Sequence, residues 1–200
     1  MKMKRFFNFC FCSIICFLSA QAWSCPLSYS ITKNVYLFST YFEMEGNDWY
    51  EGRVIKNHIN IRTVYDLYDR CGGHEGQGIC QILSLGTLFS WAKDIDIYDA
   101  EGARIGFIDG QLLTTTAAKY GFYNQSNELV ANAYLDWNCS AFTIMTPSER
   151  TIARLKRTFI LNDIDSWEVV AYEPELLDLR ILKVFSSFVI DCQGDFKEDH

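Results

Sequence analysis

Only three histidines and three prolines occur in 200 residues, and no apolar run reaches the roughly 20 residues that a helix needs to cross a bilayer. The shortage of histidine leaves little for proton transfer near neutral pH or for zinc ligation. Gly-x-Ser-x-Gly, His-Glu-x-x-His and a phosphate-cradling glycine loop ahead of a lysine are all missing. With His58, His74 and His200 as the whole supply, an ordinary hydrolase has no base to pair with its nucleophile, and no catalytic residue is assigned. The shortage of proline, with no low-complexity stretch, argues against a disordered linker. Cations are also short, 18 against 25 acids for a net charge of −7, which disfavours long-range attraction to nucleic acid or an anionic membrane.

What is present begins with a leader. Three positive charges in Met1-Lys2-Met3-Lys4-Arg5 precede an apolar run from Phe6 to Leu18, and Ala20-Gln21-Ala22 has the small residues that a signal peptidase reads. Residues 1–22 are therefore expected to be a removed signal peptide and residues 23–200 one exported domain, periplasmic or secreted, with no transmembrane segment. The leader holds three of the 18 basic residues and none of the 25 acids, so the remainder stands at −10 against −7 for the whole chain.

Cys10, Cys12 and Cys16 leave with that segment, and an oxidising compartment favours bridges among Cys25, Cys71, Cys80, Cys139 and Cys192. Cys71 and Cys80 flank Gly72-Gly73-His74-Glu75-Gly76-Gln77-Gly78-Ile79 between two strand-like runs. A hairpin there predicts a Cys71–Cys80 disulfide, with a stabilisation on the order of 2–3 kcal/mol. The partners of the other three stay open. A zinc site on Cys71, His74 and Cys80 lacks a fourth local ligand.

Aromatic and β-branched residues crowd Val35 to Met44, Trp49 to Ile55 and Ile59 to Tyr68, a composition suited to half-buried strands. Alternation in Lys93-Asp94-Ile95-Asp96-Ile97-Tyr98, a turn at Asp99-Ala100-Glu101-Gly102 and a return from Ala103 predict a hairpin. The plan recurs around Asn124-Gln125-Ser126-Asn127 and Thr146-Pro147-Ser148, which points to a mainly β sandwich or barrel. Glu173-Pro174-Glu175 then opens a breaker-free stretch from Leu176 to Ile190. Its apolar residues surround the axis, so a helix over about 175–190 must be buried on every side, apart from a first half that carries Asp178, Arg180 and Lys183.

Three segments together resemble the Tubby carboxy-terminal domain and its relatives, the phospholipid scramblases and LURP-one-related proteins. They are the Asp96–Gly106 hairpin, the basic strand Ile152–Arg157, and Asp165–Val169 followed by Leu177–Asp191. The resemblance implies a closed antiparallel β-barrel around a central apolar C-terminal helix. It also implies a non-enzymatic binding or interaction protein, whose partner is an anionic lipid or another protein, with no cofactor.

Arg150, Arg154, Lys156 and Arg157 are the lipid-binding candidates that the resemblance suggests, against the plainer reading of a solvated strand face. Asp94, Asp96 and Asp99 allow a metal-dependent enzyme as a further alternative, although their spacing is not that of an EF-hand loop. Alternate carboxylates on a strand are ordinary solvent-facing side chains.

Overall fold

The computed structural model describes residues 26–46, 49–82, 92–111, 119–159 and 165–193. The leader, Cys25 and His200 lie outside them. Twelve strands follow in order: β1 (Leu27–Val35), β2 (Ser39–Gly46), β3 (Trp49–Asn57), β4 (Val64–Tyr68), β5 (His74–Cys80), β6 (Ile95–Asp99), β7 (Arg104–Gln111), β8 (Lys119–Asn124), β9 (Leu129–Leu135), β10 (Ala141–Met145), β11 (Thr151–Phe159) and β12 (Asp165–Ala171). Each pairs antiparallel with its sequence neighbours, and β1 closes on β12 from Leu27↔Ala171 to Thr32↔Ser166. Closure removes the unpaired edge that an open sheet would expose.

Period-two patterning decides which face of the wall is inside. Ile31, Phe42, Val54, Leu67, Ile97, Phe122, Phe142, Leu155 and Val169 point inward and are fully or almost fully buried. Outward positions carry Glu43, Arg53, Asp66, Gln77, Asp96, Arg154 and Glu168, the inverse of a lipid-facing barrel, whose outer band is apolar. No helix among the described residues is long and apolar enough to cross a membrane.

One five-residue turn is used four times. At Asp69, Asp99, Asn124 and Thr146 the backbone N–H of the first residue donates to the carbonyl of the fifth, at 2.9–3.0 Å, and the fourth donates back to the first, at 2.9–3.1 Å. Asp136 opens a variant one residue longer, with its N–H on the Ala141 carbonyl and the Cys139 N–H donating back to it. The fourth residue must take a positive φ: Gly72 and Gly102 do so freely, whereas Asn127, Cys139 and Glu149 do so at 55–64°. Where the first residue is Asp or Asn, its side chain also accepts from the backbone, as Asp99 does from Glu101 and Ala103.

The interior is filled by α1 (Leu179–Asp191), the only helix among the described residues. Asp178 caps it by accepting from the Arg180 N–H at 2.9 Å, so the helix begins at Leu179, later than the expected 175, after a turn over 174–177. Phe185 packs edge-on against Tyr120, Phe122 and Phe142 with centroids 5.0–5.4 Å apart. Close approach to the wall is possible at Gly78, where an added Cβ would lie 2.6 Å from Val184 Cγ1. Lys183 reaches out of the core to Glu75 at 2.8 Å. Ser186 and Ser187 are completely buried, and their hydroxyls donate to the Lys183 carbonyl, one turn back.

Three sequence readings need correction. The chain from Tyr36 to Phe38 is a hairpin tip between β1 and β2, and 58–63 is a loop, not the start of a strand. The stretch between Cys71 and Cys80 is mostly strand β5 rather than a loop. Cys71 stands at the tip of the Asp69–Gly73 turn while Cys80 ends β5 six residues beyond His74, a separation on the order of 20 Å. A disulfide needs Cα atoms within about 7 Å, and neither thiol is bridged. The same separation removes the zinc alternative on Cys71, His74 and Cys80.

Candidate functional site

Strand parity fixes where α1 begins and ends. The turns at Asp69, Asp99, Asn124 and Thr146 ring the lower rim, where the helix starts, and the β1–β2, β3–β4 and β9–β10 connections ring the upper rim, where it stops. The four basic residues do not converge on one point of this frame. Arg150 lies in a lower-rim turn and pairs with Glu173 at 2.5 Å. Arg154 and Lys156 project outward from β11, the latter opposite Glu168 on β12, while Arg157 is half-buried near the upper rim, where its N–H donates to Ser140.

The aspartates are likewise already engaged. Asp96 pairs with Arg104 at 3.0 Å and accepts from Gln81 at 2.9 Å, and Asp99 is committed to its turn. Asp94 accepts from the Gly110 N–H at 3.2 Å. Burial lifts its carboxyl above the ordinary range, nearby Asp109 adds to the rise and the Gly110 N–H opposes it. Among the described residues no three His, Cys, Asp or Glu side chains are grouped to hold a metal. His58 is bonded to the Thr40 hydroxyl at 2.8 Å, and His74 lies edge-on to Tyr68. An open recess of about 500 Å³ on the outer wall, lined by Tyr134, Met145, Pro147 and Glu149 among others, has no convergent charges.

The upper mouth is closed by a charged plug. Asp191, the last residue of α1, accepts from Lys33 at 3.0 Å, Lys56 at 2.5 Å and the Tyr65 hydroxyl at 3.0 Å. β1, β3 and β4 thus grip the helix end through one carboxylate. An anion at a helix C-terminus opposes the macrodipole, and the two ammoniums compensate for it. Burial pushes the Asp191 carboxyl up, but the lysines outweigh this and hold it below its ordinary range. The same burial, reinforced by Asp191, pushes the Tyr65 phenol well up. Trp167 Nε1 donates to Gln193 at 3.0 Å beside the plug.

Around this plug stand apolar side chains that the wall does not cover. Leu37 is 81% exposed, Ile61 98% and Trp137 82%, with Tyr36, Phe38 and Ile59 also above half. The first tip is held by the Tyr36 N–H on Ser39 at 2.8 Å, and the His58 N–H on Phe38 at 3.0 Å ties the β3–β4 loop to it. The β9–β10 tip is fixed by Asp136, which accepts from the N–H groups of Ser140 and Ala141 at 2.7 and 3.0 Å. The sequence reading missed this rim because apolar residues at Tyr36–Phe38 and Ile59–Ile61 look like strand. The signal that could have found it is that strands read outward from the adjacent turns leave these residues over as connections.

The chain is therefore a closed twelve-strand antiparallel barrel that uses its own C-terminal helix as its core. No protein-family model matches the sequence, and no curated protein matches it.

Proposed function

We propose that this chain is an exported, non-enzymatic binding or interaction protein of Tubby-like fold whose contact surface is the upper rim. The observation that carries the reading is the cluster of solvent-facing Leu37, Ile59, Ile61 and Trp137 on fixed loops at one end of the barrel. Apolar side chains held out in water cost stability, and their gathering at one end of the barrel is what a contact surface would need. Two further features support it. The barrel interior, where a ligand would sit in a hollow barrel, is occupied by α1. The carboxylates and histidines described above are tied to structural partners rather than set out around a cleft. Export rests on the leader in residues 1–22.

The lipid-handling alternative through Arg150, Arg154, Lys156 and Arg157 draws less support, because these side chains are distributed from the lower rim to the upper one. The test is turnover. The purified chain, offered a panel of esters, phosphomonoesters and glycosides with and without divalent metal, is expected to release no product above a boiled control. Turnover that a single Asp or His substitution abolishes would overturn the reading.

A further inference from the structure

We propose that the upper rim docks on the surface of a lipid bilayer by inserting its apolar loop tips, without needing an anionic headgroup. This rests on the binding-protein reading above and names the partner of that surface.

The first argument is shape. The tip at Leu37 and the tip at Trp137 belong to hairpins separated by β12 and β11, three strand spacings along the wall and on the order of 15 Å. Both stand on the same end of the barrel, as does Ile61. A flat, deformable surface meets all three at once, and side chains exposed to this degree are shaped to penetrate rather than to abut. Insertion of such tips buries apolar area within the outer 5–10 Å of a membrane.

The second argument is chemistry. Tyr36 and Trp137 offer an apolar ring with one polar atom, the type of side chain that settles at the level of lipid headgroups. The residues between the tips on the β3–β4 loop are Asn57, His58 and Asn60, with Arg62 following and no acid. Asp136 is spent on its own turn.

The third argument is polarity of the whole barrel. The lower-rim turns carry Asp69, Asp99, Glu101, Glu128 and Glu149 against Arg70 and Arg150, a net negative balance. A negatively charged membrane would repel that end, so the charge distribution presents the apolar end to the bilayer. Because the attraction itself is apolar, it persists on zwitterionic lipid and at high salt, unlike attachment through strand cations.

The experiment is flotation of the chain recovered from the exported fraction, its N-terminus read by intact mass. Extruded phosphatidylcholine vesicles are used, with and without phosphatidylglycerol. The wild type is expected to float with both at 0.5 M salt. Brominated phosphatidylcholine should quench its Trp137 emission, and W137F should lose that quenching. L37D and I61D should each weaken partition by roughly tenfold, and R154E/K156E should leave it unchanged. Both rim positions face solvent, so the variants keep the fold, checked by an unchanged thermal midpoint.

Failure of the wild type to float on either vesicle overturns the proposal, as does flotation that R154E/K156E abolishes and L37D/I61D does not. If the wild type instead sediments as a dimer that L37D/I61D dissolves, the occupant is a second copy. The bilayer proposal then falls while the rim stands as an interaction surface. If rim substitutions change neither flotation nor mass, both readings fall.

Discussion

Replacing Asp191 by asparagine keeps the shape of the plug and removes its charge. Lys33 and Lys56 then face each other across a neutral amide, while Tyr65 retains an acceptor. The exposure of the groups sets the magnitude. Asp191 is 9% exposed but its lysines are 23–24% exposed, so the ammoniums keep part of their hydration. Breaking a fully buried pair costs about 3–5 kcal/mol, and an exposed pair is worth about 0–1 kcal/mol. D191N should thus lose about 2–3 kcal/mol, read as a shift of the urea midpoint at constant slope. For a chain of this size that corresponds to a fall in Tm on the order of 5–10 °C. In a double-mutant cycle with K56M the coupling should exceed about 0.5 kcal/mol. The folded carboxyl titrates below its ordinary value of 3.8. Its contribution is therefore complete above about pH 4 and is lost as pH falls through the folded pKa, so D191N should flatten the acid limb of stability. A D191N chain within 0.5 kcal/mol of wild type, or a cycle with no coupling, would refute the claim that this carboxylate pins the helix end.

Phe185→Ala should lose about 3–5 kcal/mol in the same denaturation assay, because the ring is fully buried among Tyr120, Phe122 and Phe142; a loss under 1 kcal/mol contradicts a tightly packed centre. Under native conditions a maleimide should label exposed Cys71 and leave Cys80 untouched, since burial shields that thiol and pushes its pKa up to about 11; peptide mass mapping showing neither labelled until reductant is added would restore the bridge. Glu149→Gly should gain about 1 kcal/mol, measured by urea melting, because an exposed non-glycine residue holds φ at 64° there.

The wall and the helix were legible because each states its burial in its period. Ile95 and Ile97 alternate with Asp96, and past Lys183 the helix carries no charge until Asp191 and only two serines among its apolar residues. Turn chemistry placed the hairpin at Asp99. The identical Asp-x-x-Gly at Asp69–Gly72 went unread because two cysteines nearby suggested a loop, and the Asp136 turn went unread because Cys139 occupies its left-handed position where glycine is usual. The rim was hidden for a different reason: an exposed Ile61 and a buried Ile31 are the same letter, and only the register of neighbouring strands separates them. The Asp191 plug draws on three strands and a helix end far apart in sequence, with no local pattern to announce it.

The seam between the first and last strands has a consequence for how the molecule is made. Synthesis delivers the chain from its N-terminal side, and the filling of the tube follows every strand of its wall. Until the helix emerges, twelve strands of inward-facing aliphatic and aromatic side chains have nothing to fold upon. Non-local closure of this kind is slow, and the waiting chain is prone to aggregate. A holding chaperone is a natural requirement for this architecture. A version cut short before Leu179 would be a hollow shell without a reason to stay closed, not a smaller working protein.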